Sequence, residues 1–344
     1  MNRLPADEPA RRRFLRASVW CSAAATLPAW ATRHALPDTG AQRASTRTFG
    51  EDADYQGPGP ALRDEGDGTV TDRVSGLIWQ QVDGGEMSWP QAQAYAKTLN
   101  LAGHTDWRLP NSLELFSIQD HGRQRPSLDT RFFPDSGAEY WWSGATLAGD
   151  ASRVWVTNAG GGLGAHPLRE SLSAGGNKRF HVRCVRGPSP FSSGPRLRLL
   201  ETGDLIDDNT GLIWQQAASA AAMNWEAALA WCENLTLAGS DDWRLPNIKE
   251  LRSLVDEGRL RPAVDTRLLP QMAALPYWSS TPLGNRPERA WQVDFASGLV
   301  TYSDKTEPLR VLAVRDEGGS VAGIRDKPVP PAQEQRRNDR GERS

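Results

Sequence analysis

The chain carries the same long pattern twice, and a duplication of this length constrains the architecture more tightly than any composition value. "LAGHTDWRLPNSLEL" ends at Leu115 and "LAGSDDWRLPNIKEL" ends at Leu251, 136 residues later. Upstream, "TVTDRVSGLIWQQ" from Thr69 faces "DLIDDNTGLIWQQ" from Asp204 at a spacing of 135, so one inserted residue separates the two offsets. Tryptophans keep step throughout: Trp79 with Trp214, Trp89 with Trp225, Trp107 with Trp243, Trp142 with Trp278, and Trp155 with Trp291. Solenoid repeats run about 20–50 residues, so two units of this size predict duplicated domains. "GPSPFSSGPR", Gly187 to Arg196, has the Pro, Gly and Ser content of a linker between them.

Each unit can be read against the other. "GTVTD" and "GLIWQQ" predict two short strands in a hairpin, because Asp72 or Asp207 can close an Asx-turn and Gly76 or Gly211 can take a positive φ. Ser88 or Asn224 then caps a helix whose apolar face is expected at Ala92, Tyr95 and Leu99, and at Ala228, Trp231 and Leu235. "VWVTNAGGGLG" and "RAWQVDFASGLVTY" alternate as strand, turn and strand, and "RFHVRCVRG" and "LRVLAVRD" supply a closing strand. The fold class that follows is α+β, with a hairpin, helices and several further strands per unit. The expected boundaries are a leader at 1–31, an N-terminal arm at 32–60, a first domain at 61–187, a linker at 188–198, a second domain at 199–316 and a disordered tail at 317–344.

The repeated Trp-Arg-Leu-Pro-Asn motif reads as scaffold. Asn111 and Asn247 stand three residues before Glu114 and Glu250, a capping-box spacing that starts a second helix. Pro110 and Pro246 hold the preceding leucine extended. Trp107 and Trp243 are apolar anchors with an indole N–H to satisfy, and Arg108 and Arg244 can grip a carboxylate or carbonyls with forked guanidinium groups.

The first residues read as an address. "RRRFLR" (Arg11 to Arg16) precedes the mildly apolar "ASVWCSAAATLPAWA" and the small-residue pattern Ala29-Trp30-Ala31, an order that resembles a Tat export signal and places the mature chain in the periplasm or outside the cell. The apolar run is shorter than the roughly 20 residues that cross a bilayer, and no later stretch approaches that length, so no integral membrane segment is expected in the mature chain. Without the five arginines and two acids of residues 1–31 the formal charge of −2 becomes −5. That balance lacks the basic stripe of a nucleic-acid binder.

The ordered set "GDGTVTD…SGLIWQQ…YAKTLNLAG…DWRLPN…EL", followed by "YWWS" and "VRCVR", resembles the Legionella collagen-like protein C-terminal domain family over about Gly66 to Arg186 and Glu201 to Arg315. The resemblance implies a C-type-lectin-like fold, an exported or surface-exposed setting, and binding of anionic polysaccharide or a surface protein as the partner class. It also implies a disulfide between the first helix and the last strand, from which this chain departs. The first unit has Cys184 with Ala96, the second Cys232 with Ala313, leaving either a Cys184–Cys232 bridge between units or two buried thiols. The Glu-Pro-Asn and Trp-Asn-Asp signatures of calcium-dependent lectins are not in the sequence, and "DEGDG" (Asp64 to Gly68) reads as a turn.

Catalytic inventories are thin, so no enzyme, no metal and no cofactor is expected. His104, His121, His166 and His181 are scattered in the first unit and unmatched in the second. The sequence contains no Gly-x-Ser-x-Gly elbow and no Cys-x-x-Cys. An assembly component of an extracytoplasmic complex is the second reading. A relative of the formylglycine-generating enzymes, whose Arg-Leu-Pro-Thr-x-x-Glu stretch resembles this helix start, is the third. The most repeated polar cluster places Arg123, Arg125 and Arg131 against Arg259, Arg261 and Arg267, and arginine forks suit sulfate and carboxylate. The competing expectation is that Asp129 and Asp265 pair with these arginines to tie down a loop.

Overall fold

Short strands separated by Asx-turns lead each repeat. In the computed structural model, which describes residues 36–55, 61–134, 136–169, 179–191 and 195–317, β1 (Leu62–Asp64), β2 (Thr69–Asp72) and β3 (Ile78–Gln80) form an antiparallel sheet. Asp72 Oδ1 accepts from the Val74 N–H at 3.0 Å and Gly76 takes φ 74°, which turns the chain from β2 into β3. The expected leader and all but the first residue of the expected tail lie outside the described residues, as do residues 192–194 of the expected linker.

The first helix of each repeat follows. α1 (Trp89–Thr98) begins after Ser88, whose N–H donates to Gln91 Oε1 at 2.9 Å. The second helix, α2 (Ser112–Ser117), is short. Tyr95 and Leu99 are only half-buried, whereas Ala92 and Ala96 are fully covered. The buried stripe of α1 is therefore the narrow i, i+4 pair of alanines, and the larger side chains flank it.

Next comes a large sheet. The first repeat contributes β4 (Tyr140–Leu147), β5 (Asp150–Asn158), β6 (Leu163–Pro167) and the short β7 (Phe180–His181), while β8 (Val185–Arg186) returns to close the small sheet beside β3. The second repeat restates the plan. β9 (Leu197–Leu199), β10 (Leu205–Asp207) and β11 (Leu212–Trp214) are closed by β15 (Val314–Asp316), after α3 (Trp225–Glu233), α4 (Ile248–Ser253) and the strands β12 (Pro276–Leu283), β13 (Arg286–Asp294) and β14 (Leu299–Asp304). In α3 the covered residues are Trp225, Ala228, Leu229, Cys232 and Glu233, with Trp231 again on the flank.

The two repeats share one sheet. Seven strands run in the order β12-β13-β14-β6-β5-β4-β7, and the seam is the antiparallel pairing of Val300 with Leu163. Leu299 packs beside Gly164, where an added Cβ would meet Leu299 Cδ1 at 3.1 Å. Because Leu163 and Leu299 are equivalent in the two repeats, as are Gly164 and Val300, the seam has a local pseudo-twofold relation. Above it α2 lies against α4. One core cluster mixes Phe116, Trp155 and Leu163 of the first repeat with Trp214, Leu251, Trp291 and Val300 of the second. Each fully buried indole removes on the order of 200 Å² from water, roughly 5 kcal/mol of transfer free energy before entropy is counted. Nine of the twelve largest fully buried side chains are tryptophans, and eight of those nine belong to the ten paired ones, so the duplicated indoles are the main core material.

Residues 36–55, inside the stretch expected as an arm, pack on the second repeat. Tyr55 Oη donates to Glu233 Oε1 at 2.6 Å, and buried Asp52 accepts from Thr39 Oγ1 at 2.7 Å and Thr281 Oγ1 at 2.6 Å. The described part is an α+β molecule, mostly sheet. Among the described residues no helix is long and apolar enough to cross a membrane.

Candidate functional site

The repeated motif is wired into the scaffold in both copies. Asn111 Oδ1 accepts from the Glu114 N–H at 2.7 Å, and Glu114 Oε2 accepts from the Asn111 N–H at 2.7 Å, the two arms of a capping box. The same carboxylate takes both prongs of Arg108 at 2.7 Å, and Arg108 also donates to Gly187 O at 3.1 Å. In the second copy Arg244 grips Glu250 at 2.6 and 2.8 Å, and Asp316 adds a contact at 3.2 Å. Trp107 and Trp243 donate to Leu101 O and Leu237 O, both at 3.3 Å, while Pro110 O and Pro246 O accept from Gly144 and Ser280 on the large sheet. The guanidinium, carboxylate, amide and indole groups of the motif thus all have partners within the protein.

Four of the six candidate arginines fold back onto aspartates. Arg123 meets Asp120 at 2.7 Å and Arg131 meets Asp129 at 2.5 Å; Arg259 meets Asp256 at 2.7 Å and Arg267 meets Asp265 at 2.6 Å. The Arg267 hydrogen bonds lower the Asp265 carboxyl to about 2, and Arg131 lowers Asp129 in the same way. Arg125 and Arg261 are different. Each sits in the left-handed region, at φ 52° and 54°, each is exposed, and neither forms an ion pair among the described residues.

The remaining reactive groups are dispersed. Cys184 and Cys232 are unbridged and buried in separate clusters, the first with Ala96 and the second with Ala313. Burial pushes the Cys184 thiol up to about 12 and raises Cys232 as well. His104 is exposed in a loop, His166 packs on Tyr140 and Phe180, and His181 Nδ1 lies 2.9 Å from Asp83. His121 is buried between Phe116 and Trp291, with Nε2 3.1 Å from Gly161 O. A carbonyl can only accept, so that nitrogen carries the proton. Among the described residues no group of three or more His, Cys, Asp or Glu side chains could hold a metal ion.

The open feature is a cleft of about 560 Å³ at the junction of the repeats. Arg125, Asn158 and Tyr140 line it from the first repeat, and Asn285, Arg286 and Tyr302 from the second, with Trp291 beneath. Arg286, like Arg125, is exposed and forms no ion pair among the described residues. Glu139 is the acidic side chain on the wall. Arg125 belonged to the cluster singled out from sequence; Arg286, Asn285, Asn158 and the two tyrosines did not. The available signal was a charge reversal, because Arg286 stands where the first repeat has Asp150.

The family model described as Lcl C-terminal domain matches residues 68–186 and again residues 203–315. No curated protein matches the chain.

Proposed function

The chain belongs to the Lcl C-terminal domain family and carries two copies in tandem, and from that premise we propose an exported, non-catalytic binding protein that holds an anionic polysaccharide or a surface partner outside the cytoplasm. We read each repeat as C-type-lectin-like, with two short helices packed on antiparallel sheets. Export rests on the order of basic, apolar and small-residue zones at residues 11–31. A non-catalytic role is supported by the placement of the usual reagents: the thiols of Cys184 and Cys232 are buried and raised, and His121 is buried between Phe116 and Trp291.

The observation that carries the reading is the junction cleft, where both repeats contribute a guanidinium group with no carboxylate partner among the described residues. Unpaired arginines facing a concavity suit carboxylate and sulfate groups, which they can grip with two parallel hydrogen bonds. An array of sulfated, uronic and neutral glycans probed with the full chain tests this. Retention of acidic glycans over neutral ones, weakening as salt rises, is the expected result. A blank array together with a single stoichiometric protein in a pull-down would replace it with the assembly role.

A further inference from the structure

The two repeats meet at two related junctions, and these are chemically unlike. At the first, the β12–β13 turn of the second repeat packs on the loop after α2: a Cβ on Gly284 would meet His121 O at 3.1 Å and lie 3.8 Å from Gln124 Nε2. At the second, the β4–β5 turn of the first repeat packs on the loop after α4, where a Cβ added to Gly149 would lie 3.5 Å from Leu260 Cδ1. Equivalent positions, 136 residues apart, can therefore be compared directly. Gln124 and Arg125 become Leu260 and Arg261; Arg286 is replaced by Asp150, Tyr302 by His166 and Asn158 by Asp294. One junction offers two cations with no ion pair among the described residues, amide side chains and an exposed phenol ring, with Glu139 as the acid on its wall. At the other, the equivalent positions hold one arginine, two acids and an exposed leucine.

Two buried donors at the first junction also lack acceptors. Gln124 Nε2 and Trp291 Nε1 are covered and have no hydrogen-bond partner among the described residues, and both residues line the cleft. The Trp291 indole shares this condition with its counterpart Trp155, but Gln124 faces an apolar residue in the other repeat. A buried N–H left without an acceptor is unfavourable, so an oxygen-rich ligand that reached Gln124 would be favoured there.

We propose that this cleft is a single saccharide site for the whole chain, in which Arg125 and Arg286 clamp one carboxylate or sulfate group while Asn158, Asn285 and Gln124 meet ring hydroxyls. It rests on the binding-protein reading above and deepens it by fixing the residues, the ligand charge and the stoichiometry. Tyr302 supplies aromatic surface at the rim, being 40% exposed with its edge on Trp291. The second junction, where Asp150 and Asp294 stand in place of Arg286 and Asn158, takes no anion.

The test is calorimetric titration of the full chain with a short uronic-acid oligosaccharide, its sulfated analogue and an uncharged analogue of equal length. Arg125→Asn suits the left-handed backbone at that position, Arg286→Asp copies the charge of the other junction, and Arg261→Asn is the matched control. Expected are one ligand per chain, at least tenfold weaker binding in each cleft variant, and binding within twofold of the parent in Arg261→Asn. The better of the two acidic ligands tells which anion the clamp takes. Equal affinity for the uncharged analogue, two ligands per chain, or binding that survives both cleft variants overturns the placement and leaves the wider reading standing. If the parent chain takes up none of the three, the placement fails, and the array and pull-down decide the wider reading independently. Unchanged unfolding midpoints in the variants separate lost binding from lost folding.

Discussion

Arg108–Glu114 and Arg244–Glu250 are the same fork in two settings. In the first repeat the guanidinium is 36% exposed and its third partner is a backbone carbonyl, Gly187 O. In the second it is 7% exposed, Asp316 supplies a second carboxylate, and the Tyr55 ring lies 5.6 Å away, brought by the segment before the first repeat. Identical local grammar thus carries different weight once a distant segment has covered one copy. Breaking a buried pair from one side leaves an uncompensated charge and costs about 3–5 kcal/mol, so Glu250→Gln should lose about that much stability. Glu114→Gln should lose about 1–3 kcal/mol, because water can still reach Arg108. Urea unfolding of the two variants measures this, and equal losses would break the comparison.

A second contrast lies at the helix ends, where His121 and Glu257 are equivalent positions. Glu257 pairs with Arg252, which stacks 5.3 Å over Trp155, while His121 packs as a neutral ring on Trp291. Burial, and next the Lys249 ammonium, push the His121 value down from its ordinary 6.5 to about 3. The neutral ring is the form the fold prefers, so its contribution is complete above pH 6.5 and is lost as pH falls toward 3. Asp52 opposes it. Burial and Asp38 raise that carboxyl to about 7, so its contribution is complete below 3.8 and is lost as pH rises through 7. His121→Phe keeps the packing and removes the acid-sensitive group; relative to the parent it should gain about 3 kcal/mol between pH 7 and pH 4.5, two units at 1.36 kcal/mol each. Asp52→Asn should shift the balance the other way. Unfolding free energies at the two pH values check both, and parallel pH profiles for parent and His121→Phe would remove the histidine from the account.

What could be read from sequence was what is local. The Asx-turns at Asp72 and Asp207, the capping boxes at Asn111 and Asn247 and the alternating strands each depend on neighbours within a few residues. On α1 the expected stripe is fully covered only at Ala92, while Tyr95 and Leu99 pack on the core half-buried, because a narrow alanine face leaves large side chains at its margin. The cleft was not legible, since it exists only through the pairing of Val300 with Leu163, a contact no short pattern encodes. Arg286 would have stood out only from comparing charges between the aligned repeats.

The cysteines sharpen the comparison at smaller scale. Each thiol occupies one half of a position pair whose other half is alanine, Cys184 with Ala96 and Cys232 with Ala313. Cys184→Ala and Cys232→Ala should each cost about 1 kcal/mol, a small cavity in either core, and reductant should leave the parent's unfolding midpoint unchanged. A drop on reduction would mean that the thiols meet in solution.

The smallest effect belongs to the arginine loops, and it bears on why the unpaired arginines matter. Arg131 and Arg267 lie on the surface against Asp129 and Asp265, where solvent screens the attraction and long side chains lose freedom in forming the pair. Arg131→Ala and Arg267→Ala should therefore leave the unfolding midpoint and anion binding where they were. The visible change is in the partner: the Asp265 carboxyl, held at about 2 chiefly by Arg267, should return toward its ordinary 3.8 in a carboxyl NMR titration of Arg267→Ala. If Arg267→Ala instead weakened acidic saccharide binding as much as Arg286→Asp, charge alone would be drawing the ligand. If it does not, what separates Arg125 and Arg286 from the other surface arginines is their freedom from an acid partner at a concave junction between the two repeats.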